Sequence, residues 1–300
     1  MKTTPVKLTF CVILGALLAL PCFGAIVINS STTSWIPVVY GASTPDPIED
    51  QQTGLVSGDL VGDTNHPAFY SQFDDNGTPD ILTDGTLAFR VRLNSVKNES
   101  KMEFNYNLFI GMDADRNGSL DLFVGIDNNP NGSGQLAIWD PGPGANDGPS
   151  TTSIVSPPLI TFAEAVGINY HFALVDATLD PAATSYDLDG AGNTDAFISF
   201  SFDFSFIVNL LSTNGISIDQ NSGMNYVMAT ATQDNSLNMD LNGVDGGIDS
   251  LLTFTALGAT SETVSANGDS VPEPAVMALV GIGGLSLLIS KRLRKDQTLD

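Results

Sequence analysis

Apolar and polar residues alternate with a period of two over much of the chain. Phe200, Phe202, Phe204, Phe206 and Val208 are interleaved with Ser199, Ser201, Asp203 and Ser205. Such a pattern puts one face of a strand in a core and the other toward water. Leu87, Phe89, Val91 and Leu93 alternate in the same way with Arg90 and Arg92, and Phe104, Tyr106, Leu108 and Ile110 with Asn105 and Asn107. Residues 120–126, 135–139, 170–175 and 226–232 are further strand-like runs, with Gly, Asp and Asn between them. No long stretch carries a helical period, and one short helix is expected after Phe206, through Val208 to Leu211. Many short strands with turn signals between them predict an all-β chain, with an antiparallel β-sandwich body over residues 25–257.

Three polar stretches interrupt the pattern. Residues 41–54 read as an exposed loop. Residues 140–150, Asp-Pro-Gly-Pro-Gly-Ala-Asn-Asp-Gly-Pro-Ser, read as a surface loop or a linker between lobes. Residues 258–270 are small and polar, as expected of a stalk.

Two continuous apolar runs stand outside the alternation. Lys2 and Lys7 precede an apolar stretch over 8–20, and small residues follow. This is the order of a secretory signal, here a signal helix over 1–24 with cleavage after Gly24. Lipidation at Cys22 is the alternative. At the other end, Val271-Pro272-Glu273-Pro274 is followed by uncharged residues 275–290 and then by Lys291, Arg292, Arg294 and Lys295. The run is shorter than the roughly 20 residues of an average spanning helix but carries no charge on any face, so a transmembrane helix over 275–290 is expected. The basic cluster fixes its cytoplasmic end, and the prolines hold the preceding segment extended.

The order of parts over 271–295 resembles the PEP-CTERM sorting tail of Gram-negative surface proteins, although here Asp296-Gln297-Thr298-Leu299-Asp300 follows the basic cluster. The resemblance implies export through the Sec translocon, removal of the signal by signal peptidase, and an inner-membrane-anchored precursor. An exosortase then recognises the tail, and the protein goes to the cell surface or extracellular matrix. It also implies an association with exopolysaccharide and biofilm.

Composition narrows the body further. Both cysteines, Cys11 and Cys22, lie within the signal, so the exported part has no disulfide to stiffen its loops. Between residues 25 and 270 five basic residues (Arg90, Arg92, Lys97, Lys101 and Arg116) face 31 acidic ones, of which 26 are aspartate. This charge repels nucleic acid and anionic membrane surfaces. A merely solvated acidic surface would use glutamate as well. Aspartate suits turns and short-armed oxygen ligation of calcium.

The aspartates recur in one frame. In 113–121, Asp113, Asp115, Asn117 and Asp121 fall at positions 1, 3, 5 and 9, with Gly118 at position 6 and the Ser119 carbonyl at position 7. This is most of an EF-hand-type calcium loop, in which glycine allows the turn that converges the oxygens. Val124 replaces the usual glutamate at position 12, and the flanks read as strands, so the loop looks like one of the Asp-rich calcium loops found between strands. A plain polar hairpin turn is the alternative. A second frame places Asp187, Asp189, Asn193 and Asp195 around Gly192, with Ala191 at position 5. Weaker versions surround Gly77 (Gln72, Asp74, Asn76, Asp80) and Gly243 (Asn238, Asp240, Asn242, Asp245).

Catalytic signatures are few. The two histidines, His66 and His171, have no zinc-ligand spacing, and no Gly-x-Ser-x-Gly elbow occurs. The order strand, strand, Asp-rich turn, strand over 86–127 resembles DOMON-type and family 9 carbohydrate-binding sandwiches. Trp35, Tyr70, Tyr106 and Trp139 are the residues that a sugar would stack on. The expectation is therefore a non-catalytic, calcium-stiffened surface or matrix protein. A carbohydrate-binding module is the first alternative, and a polysaccharide hydrolase using two of the many carboxylates is the second.

Overall fold

The alternating runs pair into two antiparallel sheets in a computed structural model that describes residues 26–40, 46–53, 55–128, 134–246 and 248–268. The strands are β1 (Ile36–Pro37), β2 (Phe69–Asp74), β3 (Thr86–Leu93), β4 (Asn107–Asp113), β5 (Leu122–Asp127), β6 (Gln135–Trp139), β7 (Ile160–Ala163), β8 (Tyr170–Leu174), β9 (Ala196–Asp203), β10 (Asn225–Ala231) and β11 (Asp240–Leu241). One sheet runs β1-β2-β3-β9-β8 and the other β11-β10-β4-β5-β6-β7. The body is an all-β sandwich. The signal over 1–24 and the tail over 271–295 lie outside the described residues. No helix among the described residues is long and apolar enough to cross a membrane.

The main core lies between the sheets. Leu87, Phe89, Val91 and Leu93 of β3 and Ile198, Phe200 and Phe202 of β9 come from one side. Leu108, Ile110 and Met112 of β4, Leu122, Val124 and Ile126 of β5, and Tyr226 and Met228 of β10 come from the other. Tyr226 meets the first sheet edge-on, with its ring centroid 5.7 Å from Phe89 and 6.0 Å from Phe69. Each such buried side chain contributes roughly 1.5–3 kcal/mol.

Both outer faces are covered in part. Phe109, Phe123, Trp139 and Val227 pack beneath Leu237, Ile248 and Phe254. Tyr70, Ala88 and Phe197 pack beneath Ile28, Trp35, Val175 and Leu179. That second cover corrects the reading of β3 as a strand with a wet face. Arg90 and Arg92 are fully buried. Arg90 donates to Ser199 Oγ at 2.8 Å and to the Ile28 carbonyl at 3.0 Å, and lies over the Trp35 ring. Arg92 pairs with Asp180 and Asp195.

The phenylalanine run is also shorter as a strand than its alternation predicts. β9 stops at Asp203, whose carboxylate accepts the Ser205 N–H at 3.1 Å and caps helix α1 (Phe204–Thr213). Phe204, Ile207 and Leu211 then face the core at helical spacing, which leaves Phe206 on the outside.

The loop expectations shift in the same direction. Residues 140–150 connect β6 and β7, which are neighbours in one sheet, so they link no second lobe. They fold back through Gly142 N–H to Ser153 O and Asn146 Nδ2 to Gly142 O. The segment expected as an exposed loop before residue 54 has Asp46 fully covered. The segment expected as a stalk is part of the body as far as Gly268. Met224 and Val264 exchange backbone hydrogen bonds, and Ser261 N–H donates to Tyr226 O.

Candidate metal centre

Antiparallel pairing of β4 with β5 brings the two ends of the 113–121 frame together, with Met112 opposite Leu122. Between them the backbone turns back through Arg116 at φ 61° and Gly118 at φ 91°, the left-handed conformation that glycine tolerates best. Backbone amides then orient the carboxylates. Asp113 accepts from Asn117 and Gly118 N–H, both at 3.0 Å. Asp115 accepts from Asn117 N–H at 3.1 Å, and Asp121 from Ala114 N–H at 2.8 Å. Leu120 anchors the turn from below by entering the outer core, in the space left by Gly111, where a Cβ would lie 2.6 Å from Leu120 Cδ1. Its N–H donates to the Asn146 carbonyl at 2.9 Å, so the 140–150 loop buttresses the same turn.

The result is a group of three carboxylates, Asp113, Asp115 and Asp121, whose ligand oxygens lie within 4.8 Å of one another. Burial and the nearby Asp115 charge push Asp121 up to about 6, against the Ala114 N–H that favours its ionised form. Burial likewise raises Asp113. Three acids this close repel one another when ionised, and a divalent cation relieves that cost. Calcium–oxygen distances of about 2.4 Å place opposite ligands of one shell about 4.8 Å apart, so oxygens within that limit can share one ion. Asn117 does not offer its side-chain oxygen freely, because Oδ1 accepts from Ser119 N–H at 2.8 Å and Nδ2 donates to Asp115 at 3.0 Å.

The second predicted frame is built differently. Asp187 accepts from Gly190 N–H at 2.8 Å and from Gly192 N–H at 2.9 Å, and Asp189 accepts from Ala191 N–H at 2.8 Å. Asp195 belongs to another structure, since its Oδ2 is held by Arg92 and its Oδ1 accepts from Leu188 N–H at 3.4 Å. The frame around 187–195 is not among the groups of three converging carboxylates in the described residues. In the Gly77 frame, Asp74 accepts the Asn76 N–H at 2.9 Å, as an ordinary turn residue does.

Sequence spacing missed one cluster. Asp46, Asp50 and Asp240 bring their oxygens within 4.8 Å of one another, with Asp59 beside them. Asp240 figured only as a member of the Gly243 frame. Its partners come from the other end of the chain, and no local motif joins them. The one available signal is a charge between the apolar Met239 and Leu241 of a short strand.

The aromatics and histidines are placed plainly. Trp35, Tyr70, Tyr106 and Trp139 are all buried. His66 Nδ1 is 2.8 Å from Asp63 Oδ1, and His171 lies on β8, its basicity lowered by burial and by Arg90. No family model, no curated protein and no solved structure matches the chain.

Proposed function

We propose that this chain is a non-catalytic, exported surface or extracellular-matrix protein, sorted by an exosortase, whose β-sandwich is stiffened by calcium at the β4–β5 turn. The role is structural or adhesive, with exopolysaccharide as the expected partner. The observation that carries the calcium reading is the convergence of Asp113, Asp115 and Asp121 at a turn whose amides already orient them. The sorting part rests on the order of residues in 271–295.

The sugar-binding alternative loses its platforms, because the four aromatics assigned to it are buried. The hydrolase alternative needs two carboxylates flanking an open cleft. One acidic group sits at a hairpin tip and the other has Asp46 and Asp240 almost fully covered.

Thermal melting in millimolar calcium and in chelator tests the proposal. An ion that binds only the folded state at a tenth of its free concentration stabilises it by about 1.4 kcal/mol. For a body of this size that raises the melting temperature by roughly 3–6 °C. Asp115→Ala should remove part of the shift. Identical melting curves in calcium and chelator would leave the turn as a turn.

A further inference from the structure

The cluster that no local motif announces is the more tightly enclosed of the two. Asp46, Asp59 and Asp240 are 3%, 0% and 1% exposed, and Asp50 is half-buried at the rim. All of them are held by the backbone. Gly243 N–H donates to Asp46 Oδ1, and Gly246 N–H donates to Asp50 Oδ2 at 2.9 Å. Leu60 and Leu241 N–H donate to the two oxygens of Asp240, at 2.5 and 2.7 Å. Asp59 accepts from Glu49 N–H at 3.0 Å, from Gln51 N–H at 3.3 Å and from Asn94 Nδ2 at 2.8 Å.

Two oxygens are left over, and they separate this cluster from a set of turn caps. Asp46 Oδ2 and Asp50 Oδ1 are buried and have no hydrogen-bond partner. So is the side-chain oxygen of Asn242, which lines the same surface pocket as Asp46, between Tyr40, Asp63 and Thr64. Buried acceptors without a donor are rare because each forfeits the hydrogen bonds it made in water. No basic side chain answers them. The ion pairs among the described residues are His66–Asp63, Arg92–Asp180, Arg92–Asp195 and Lys101–Glu103. Several carboxylates share one enclosed space with unpaired oxygens and no protein cation.

We propose that Asp46, Asp50 and Asp240 form a second calcium site, which fastens the segment between β1 and β2 to β11 on the edge of the six-stranded sheet. The donor set is oxygen only, which selects a hard cation. The three ligand oxygens lie within 4.8 Å of one another, close enough for one calcium ion to reach all of them. Asp46 and Asn242 line a surface pocket, so the Asp46 side of the cluster faces an opening to solvent. Asp59 touches the backbone of 49–51 and contributes a fourth negative charge without a free oxygen, so it is a positioning residue. Apart from these carboxylate contacts, the segment is tied to this edge by the Gln52 N–H bond to Met239 O at 2.8 Å. The site does not depend on the β4–β5 turn.

Equilibrium dialysis of chelator-stripped protein against calcium, in parallel with melting curves, tests the assignment. Asp115→Ala provides a background in which the hairpin turn is weakened. In that background one bound calcium should remain. Asp46→Asn should abolish it, and Asp50→Asn, at the rim, should weaken it at least tenfold. In chelator Asp46→Asn should melt no lower than its parent, because the amide oxygen keeps the Gly243 bond while a carboxyl crowded against Asp240 is gone. A purely structural aspartate would give a lower melting temperature. If Asp46→Asn fails to fold, Asp50→Asn carries the same reading. Calcium binding unchanged by both substitutions, or absent in the Asp115→Ala background, would overturn the site. If instead wild type binds one ion that Asp115→Ala leaves untouched and Asp46→Asn removes, this site stands and the hairpin site falls.

Discussion

Arg92 Nη1 donates to Asp195 Oδ2 at 2.8 Å, and both side chains are fully buried between β3, β9 and the cover over their outer face. The same guanidinium reaches Asp180, so one cation serves two buried carboxylates. The pairing removes Asp195 from the calcium frame in which its spacing puts it, and makes it a clamp on the 175–195 loop. Removing one partner of a buried charge group leaves the others uncompensated, at a cost of about 3–5 kcal/mol. Arg92→Met should lower the unfolding free energy by that amount in urea titration. Asp187→Ala should leave the calcium response of the protein unchanged. A mild Arg92→Met would mean that the cover is held by its apolar contacts alone.

The same pair sets a pH dependence. Burial outweighs Arg92 and raises Asp195 to about 6, and burial raises Glu164 to about 6. A carboxyl whose folded value lies above its unfolded one holds its proton more tightly in the folded state. Its contribution to stability is complete below its unfolded value, near 4, and is lost as pH rises through about 6. In chelator, the melting temperature should therefore be higher at pH 5 than at pH 7. The carboxyls lowered by hydrogen bonding, Asp63, Asp176 and Asp187, act below this window. His171, whose basicity burial lowers, loses stability as pH falls through the same window, one group against the several raised carboxyls. A steady fall in melting temperature from pH 7 to pH 5 would contradict the assignment.

Phe200 and Phe206 are both apolar positions of one alternating run, yet the first is fully buried and the second lies outside on α1. Phe200→Ala should cost about 3–5 kcal/mol by leaving a cavity in the main core. Phe206→Ala should cost about 0.5–1.5 kcal/mol, the worth of its contact with Phe162, whose ring centroid is 5.2 Å away. Equal costs would show that the chain stays extended past Asp203.

These differences show how far the alternation carries. Period two reports which residues share a face of a strand, and it finds β3, β4, β5, β6, β8, β9 and β10. It cannot report what covers the other face. Arg90 and Arg92 look wet because charge normally is, and only residues distant in sequence, Ile28, Trp35 and Ser199 for the first and Asp180 and Asp195 for the second, make their burial tolerable. The end of β9 was written in Asp203 as a helix cap, but the phenylalanine periodicity hides it. β2 interrupts its apolar face with the buried Ser71 and carries Tyr70 on the other, and β7 (Ile-Thr-Phe-Ala) is only four residues long, too short for its alternation to stand out. The hairpin carboxylates are local, so spacing finds them. Asp46 and Asp240 meet only through the fold, and no window of sequence contains both.

The sorting assignment has its own consequence. Mass spectrometry of the surface form should find the chain beginning after Gly24 and ending near Pro272–Pro274. An intact chain ending at Asp300, recovered from cells with an active exosortase, would sink the second cut while leaving the sandwich as it is.

Titration calorimetry on the chelator-stripped protein decides whether the β4–β5 turn holds calcium. The β4–β5 turn lacks the position-12 glutamate, so its affinity should be on the order of 10⁻⁵–10⁻³ M, as in extracellular calcium modules. A saturable heat of calcium binding is expected in that range, with the portion due to the turn lost in Asp115→Ala. No heat of binding up to several millimolar calcium would contradict it, and Asp113, Asp115 and Asp121 would then be turn residues alone.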